Sequence, residues 1–162
     1  MKYTLLSFCA CAVLASCASY QTPINSAMAS GRTVSKPVQC VPYARDVSGI
    51  QIRGDAHTWW DSAAGRYSRG NVPAPGAVMV LARTGKMAHG HLAVVKSVLG
   101  RRDITVTHSN WGDDRRSRSI IYDSMRVQDV SAANDWSSVR FWNPELGVFG
   151  FPYRAQGFIY VN

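Results

Sequence analysis

Alternation of apolar and polar residues at period two fills the second half of the chain and is nearly absent from the first. Ala77 to Ala82, His91 to Leu99 and Asp103 to Asn110 carry β-branched and other apolar residues at strand spacing, bounded by Gly, Pro or charged residues. Ile120 to Tyr122, Val139 to Trp142 and Gly157 to Val161 are shorter stretches of the same kind. Ahead of them, Cys40 to Ser48 reads as a short helix stopped by Gly49, with Pro42 in the first turn, where its missing N–H costs nothing. Ala56 to Ala64 is a second helical candidate; it carries Trp59 and Trp60 and is followed by Gly65. Helices first and strands afterwards predict an α+β domain, its N-terminal helices packed on an antiparallel sheet.

The start of the chain follows another pattern. Met1-Lys2 supplies a positive end, and Tyr3 to Ser16 is uncharged and largely apolar, too short for a lasting membrane span. Residues 1–16 therefore read as a signal peptide. Leu14-Ala15-Ser16-Cys17 resembles the lipobox of bacterial lipoproteins, which implies lipid on Cys17 as the first mature residue. Ala18 in the next position implies retention at the outer membrane, on its periplasmic face. Ala27-Met28-Ala29 suits ordinary cleavage instead, which would leave a secreted or periplasmic soluble protein, but it lies far beyond the apolar run. Residues 17–36, rich in Ser, Ala, Thr and Gly, read as a tether, and 37–162 as one domain.

On that division Cys9 and Cys11 leave with the signal and Cys17 carries lipid, so Cys40 is the lone thiol of an exported domain. Exported cysteines usually come in disulfide pairs; a single one is a small buried hydrophobe or a reactive group. The net charge of +8 suits an anionic cell-wall or lipid-headgroup partner, and no nucleic-acid-binding motif accompanies it.

The surroundings of Cys40 favour chemistry. It stands where a helix begins, so free N–H groups and the positive end of the helix dipole are expected to favour its thiolate and to face an oxyanion. On the strand from His91, alternation puts His91, Ala93 and Val95 on one face. On the next strand Ile104, Val106, His108 and Asn110 share a face. A two-residue turn at Gly100-Arg101 would make paired positions sum to 201, with His91 opposite Asn110 and His108 opposite Ala93. The diagonal from His91 to His108 is then about 7–8 Å between backbones, within reach of two imidazoles. A base with a polar group beside it is what an activated nucleophile requires.

Taken in order, Gln39-Cys40-Val41-Pro42-Tyr43-Ala44-Arg45, Gly54-Asp55-Ala56 with Trp59-Trp60, and Pro75-Gly76-Ala77-Val78 resemble the opening of a CHAP domain (cysteine, histidine-dependent amidohydrolase/peptidase). Gly90-His91-Leu92-Ala93-Val94-Val95 is similar to that family's histidine strand. His108-Ser109-Asn110-Trp111-Gly112 resembles its acidic-or-Asn strand, and Gln156-Gly157-Phe158-Ile159-Tyr160 its last strand. The resemblance implies a papain-like fold and hydrolysis of a peptidoglycan amide bond, with Cys40 as nucleophile and His91 as base; no cofactor or metal is expected, since the acidic cluster with which some members bind calcium does not precede Cys40. Many members carry Glu where this chain has His108, which leaves His108 and Asn110 as alternative orienters of the base. Trp111 and Trp59 are candidate substrate-groove residues, and His57 and His89 surface or structural ones. A monomer is expected. Competing readings use the same residues as a zinc site of Cys40, His89, His91 and His108, as a wall-binding lipoprotein without turnover, or as an antibacterial effector.

Overall fold

The computed structural model describes residues 28–161; the signal segment 1–16, Cys17 and the tether as far as residue 27 lie outside the described residues. Among the described residues nine strands form: β1 (Ala29–Thr33), β2 (Ser68–Gly70), β3 (Val78–Leu81), β4 (His91–Val98), β5 (Asp103–Ser109), β6 (Ile120–Asp129), β7 (Ser138–Asn143), β8 (Val148–Phe149) and β9 (Tyr153–Tyr160). The helices are α1 (Cys40–Ser48), α2 (Trp59–Ser62), which follows a 3-10 turn at Ala56–Thr58, and α3 (Arg115–Arg118).

The expected α+β papain-like arrangement, helices on an open antiparallel sheet, is not what forms. Strand pairing runs β6-β5-β4-β3-β9-β7 and returns from β7 to β6 through Val127↔Phe141, Gln128↔Arg140 and Asp129↔Val139, closing a six-stranded antiparallel barrel. The cause is the length of β6. Only Ile120 to Tyr122 reads as strand from local alternation, yet the strand runs for ten residues, pairing with β5 along nearly all of its length and, on its other edge, with β1 by its first half and β7 by its end. Closure leaves this part of the sheet without open edges. Part of the expected tether is also strand, since β1 pairs along β6.

Two apolar layers follow from the alternation. Met79, Leu81, Ala93, Val95, Ile104, Val106, Met125, Val127, Phe141 and Phe158 fill the barrel. The residues between them, Val78, Val80, Leu92, Val94 and Ile159, point outward and pack under Ala44, Ile50, Ile52, Ala56, Trp59 and Ala63. Both faces of β3 and of the first half of β4 are therefore buried, which is why they read as unbroken apolar runs. Helix α1 lies across β4 and β5, tied down by a 2.5 Å hydrogen bond between Tyr43 Oη and Thr107 Oγ1. Gly49, at φ 79°, ends it by donating to Arg45 O.

The β4–β5 register reaches the expected value by another route. Leu99 N–H donates to Asp103 O, so the loop holds three residues and pairs near it sum to 202 (Val98↔Ile104). A bulge at Lys96 then restores 201 at Val95↔Val106 and Val94↔Thr107. Without it, continued pairing would put His108 opposite Val94, on the helix side of the sheet.

Gly90, at φ +70°, sets where β4 begins. A Cβ there would lie 2.7 Å from Leu81 O and 2.8 Å from both His57 N and His57 Cβ. Left-handed backbone and lack of room coincide at this position. Gly90→Ala is expected to lower the unfolding free energy by about 1–3 kcal/mol, measured by urea denaturation. Gly100→Ala, where a Cβ meets nothing within 4 Å, is the control and should stay near wild type. Equal stability of the two variants would show that the approach at Gly90 is not constrained.

Candidate active site

The chemistry-bearing residues gather at the rim of the barrel where β4 starts and β5 ends. Ladder pairing between these strands stops at Val94↔Thr107, so His91 is not in register with Asn110, nor His108 with Ala93, as continued pairing would have them. Beyond that point the two imidazoles meet directly: His91 Nε2 and His108 Nδ1 are 2.9 Å apart. The rings stand nearly perpendicular, at 79°.

Apolar walls enclose the pair. His91 is 3% exposed and His108 wholly buried. Trp111 lies against both rings, with centroids 4.7 Å from His91 and 5.5 Å from His108. Tyr122 stacks on His108 and Phe141 tilts against it. His108 Nε2 sits 3.2 Å from the sulfur of Met125. Burial disfavours the charged ring: His91 is pushed down to about 3, and His108 well below its ordinary value, with the His91 charge adding to the effect. Both rings are neutral across the physiological range.

Cys40 opens α1 and is 9% exposed. Pro42 has no N–H, and Tyr43 N–H already donates to Gln39 O. The free donors of the first turn are thus Cys40 N–H and Val41 N–H, and both reach the thiol, as does Leu92 N–H next to His91. These three contacts pull the thiol pKa down, but burial outweighs them and it stands above its ordinary value. The expectation that the helix start alone yields a thiolate is therefore corrected. At rest the sulfur is protonated.

Asn110 does not serve His91 here. At φ 56° it turns away from the strand, and its Nδ2 donates to Gln39 Oε1 at 2.8 Å, joining the end of β5 to the residue before Cys40. Trp59 is fully buried between α1 and the barrel; its placement as a groove residue is corrected, because adjacent helical residues point apart and Trp59 is the inward one. Trp111 is half-buried at the rim, packed on Phe141 and Tyr153 with an edge left open. His89 is exposed and paired with Asp55 at 3.1 Å, so the four supposed zinc ligands do not converge. Among the described residues, no group of three or more His, Cys, Asp or Glu is arranged to hold a metal ion. His57 accepts no role at the site; its backbone N–H and ring both address His89 O.

Sequence reasoning missed Gln39, Tyr122, Met125 and Phe141. Gln39 was legible, since it directly precedes the cysteine. The other three were not, because they lie on strands whose inward parity depends on long-range pairing.

A protein-family model described as the CHAP domain matches residues 30–110, half of the chain. The staphylococcal secretory antigen ssaA2 of Staphylococcus aureus (strain NCTC 8325 / PS 47) is 36% identical to it over 93 residues, 55% of this chain and 34% of that protein. The protein of the same name from Staphylococcus aureus strain COL matches to the same extent. The matched stretch spans about a third of the length of these curated relatives. The matched range takes in the helix from Cys40 and the strands that carry His91 and His108, whereas Gln156–Tyr160 lies beyond it. This chain belongs to the CHAP domain family.

Proposed function

We propose that this protein is a cysteine hydrolase that cleaves an amide bond of peptidoglycan, either the N-acetylmuramoyl-L-alanine bond or a peptide cross-link. The observation that carries the reading is the hydrogen-bonded, uncharged His91–His108 pair beside a cysteine at a helix start. With Nε2 of His91 engaged by His108, Nδ1 is the nitrogen left for the thiol. Export, with lipid at Cys17 or as a soluble protein, belongs to the same proposal and agrees with the word "secretory" in the relatives' name.

A neutral pair dictates the order of events. The Cys40 proton passes to His91 Nδ1 as the sulfur bonds to the carbonyl carbon, so no buried ion pair stands at rest. The imidazolium formed donates its Nε2–H to neutral His108 Nδ1, which steadies the charge at the moment it appears. The Cys40 and Val41 N–H groups, which reach the sulfur at rest, then face the tetrahedral oxyanion. Collapse returns the proton from His91 to the leaving amine and leaves an acyl-cysteine. Water attacks that thioester with His91 again as base, and the carboxylic acid departs as the thiol is restored. Trp111 offers the sugar or stem peptide an apolar surface beside the base.

Cys40→Ala is expected to abolish release of soluble muropeptides from purified sacculi, and mass spectrometry of the wild-type products identifies the bond cut. Full activity in that variant would end the cysteine-hydrolase reading. His108→Ala should lower turnover by about 10²-fold, as a misplaced base does, and His108→Glu should recover part of it. Asn110→Ala, which loses only the bond to Gln39, should cost far less. The reverse ranking would reassign the orienting role to Asn110.

The pKa directions make a separate test. Since burial holds the thiol above its ordinary value and His91 near 3, iodoacetamide should alkylate Cys40 slowly at pH 6, with the rate climbing steadily to pH 9 and beyond. A flat rate from pH 5 to 8 would instead reveal a resting thiolate–imidazolium pair. Correspondingly, kcat/KM should hold as pH falls through 6.5 and decline only as His91 gains a proton near 3.

A further inference from the structure

We propose that Met125 is a positioning residue: its thioether holds His108 in the Nε2–H tautomer and so keeps His91 Nδ1 free to take the Cys40 proton. This rests on the cysteine–histidine reading above and adds a third member behind the orienter.

His108 Nε2 faces Met125 Sδ at 3.2 Å, and a thioether sulfur accepts but has nothing to donate. A hydrogen bond there requires the proton on His108 Nε2. His108 is neutral, so its Nδ1 is then a bare lone pair. Across the 2.9 Å contact, His91 must supply the proton from Nε2, and a neutral His91 with Nε2–H has an unprotonated Nδ1. One acceptor at the end of the chain orders every proton before it. The opposite ordering, with His108 Nδ1–H donating to His91, puts the His91 proton on Nδ1 and leaves no base toward the thiol. It also leaves His108 Nε2 bare against a sulfur that cannot satisfy it.

The strand geometry that aims the sulfur is specific. Tyr122 and Met125 are three residues apart on β6, an odd spacing that would place them on opposite faces of a regular strand. Both point into the barrel, because β6 carries an extra residue between them: Met125 pairs with Val106 and Tyr122 with His108, with one residue intervening on β5 and two on β6. The neighbouring strand shows the same irregularity, with Ser30↔Ser124 followed by Gly31↔Tyr122. A Cβ on Gly31 would come 2.6 Å from Ile121 O, so β1 fits against this bulge only with glycine there. Lys96 Nζ, from the bulge of β4, donates to Asp123 O at 3.0 Å. The bulge thus holds His108 between the face of Tyr122 and the sulfur of Met125.

Nitrogen-15 and proton NMR of ring-labelled protein reads the relay directly. In the wild type, His108 and His91 should both show a protonated Nε2 and a bare Nδ1. The His108 Hε2 proton should exchange slowly and show cross-peaks to the Met125 methyl group. A proton on His108 Nδ1, or no protected Hε2 proton, would overturn the proposal without any variant. Met125→Leu keeps the volume and removes the acceptor. It should introduce the second tautomer and lower kcat by about three- to tenfold, the effect of one net hydrogen bond, with KM unchanged. Wild-type tautomers and kcat in that variant would also overturn it. The two readings fail separately. Ordered tautomers with no wall hydrolysis would remove the hydrolase and keep the relay, while Cys40-dependent hydrolysis with His108 protonated on Nδ1 would do the reverse.

Discussion

A hydrogen bond between two buried, uncharged imidazoles, 2.9 Å from His91 Nε2 to His108 Nδ1, is the contact that the rim of this barrel is built to hold. Neither ring has water to fall back on, so each polar nitrogen inside must be matched by the protein or cost free energy. Trp111, Tyr122 and Phe141 supply the apolar wall that keeps the rings neutral, and the same wall fixes their planes. Burial and orientation are one effect here. Loosening the wall would admit both water and charge.

The thiol belongs to the other layer. Cys40 packs with the outward-facing set under α1, whereas His91 alternates with the inward-facing Ala93 and Val95. The two layers meet only at the rim, where β4 begins and Leu92 N–H turns to the Cys40 sulfur. Tyr43 fastens α1 to Thr107 of β5, and Thr107 in turn donates to Tyr122 O, so the helix that presents the thiol and the strands that present the histidines are held by one polar ladder. Asn110 adds a second tie, to Gln39.

Bulges decide which side chains enter the barrel. The irregularity at Lys96 brings β4 and β5 back to the register in which His91 and His108 share a face, and the one in β6 turns both Tyr122 and Met125 inward. A side-chain period of two makes such single-residue insertions decisive, because each reverses every position beyond it. Two of them, on strands that sandwich β5, surround one histidine with a donor, an acceptor and a stacking face.

Much of the site was legible in the chain itself. The helix from Cys40 with its stop at Gly49 and the strands from His91 and Asp103 follow from local periodicity, a short-range property, whereas the meeting of His91 with His108 also needed the bulge at Lys96. The closed barrel was not legible, because it depends on β6 pairing with β7 across an interval that no local pattern spans, and Met125 and Val127 lie beyond the stretch that local alternation marks as strand. The charge states were equally out of reach. A helix start argues for a thiolate and a lone histidine for a pKa near 6.5, yet desolvation reverses the first and lowers the second to about 3. That Cys40, His91 and His108 lie near one another could be read from the sequence; how each is protonated was decided by the packing around it, since the cost of a buried charge exists only once the tertiary structure has removed the water.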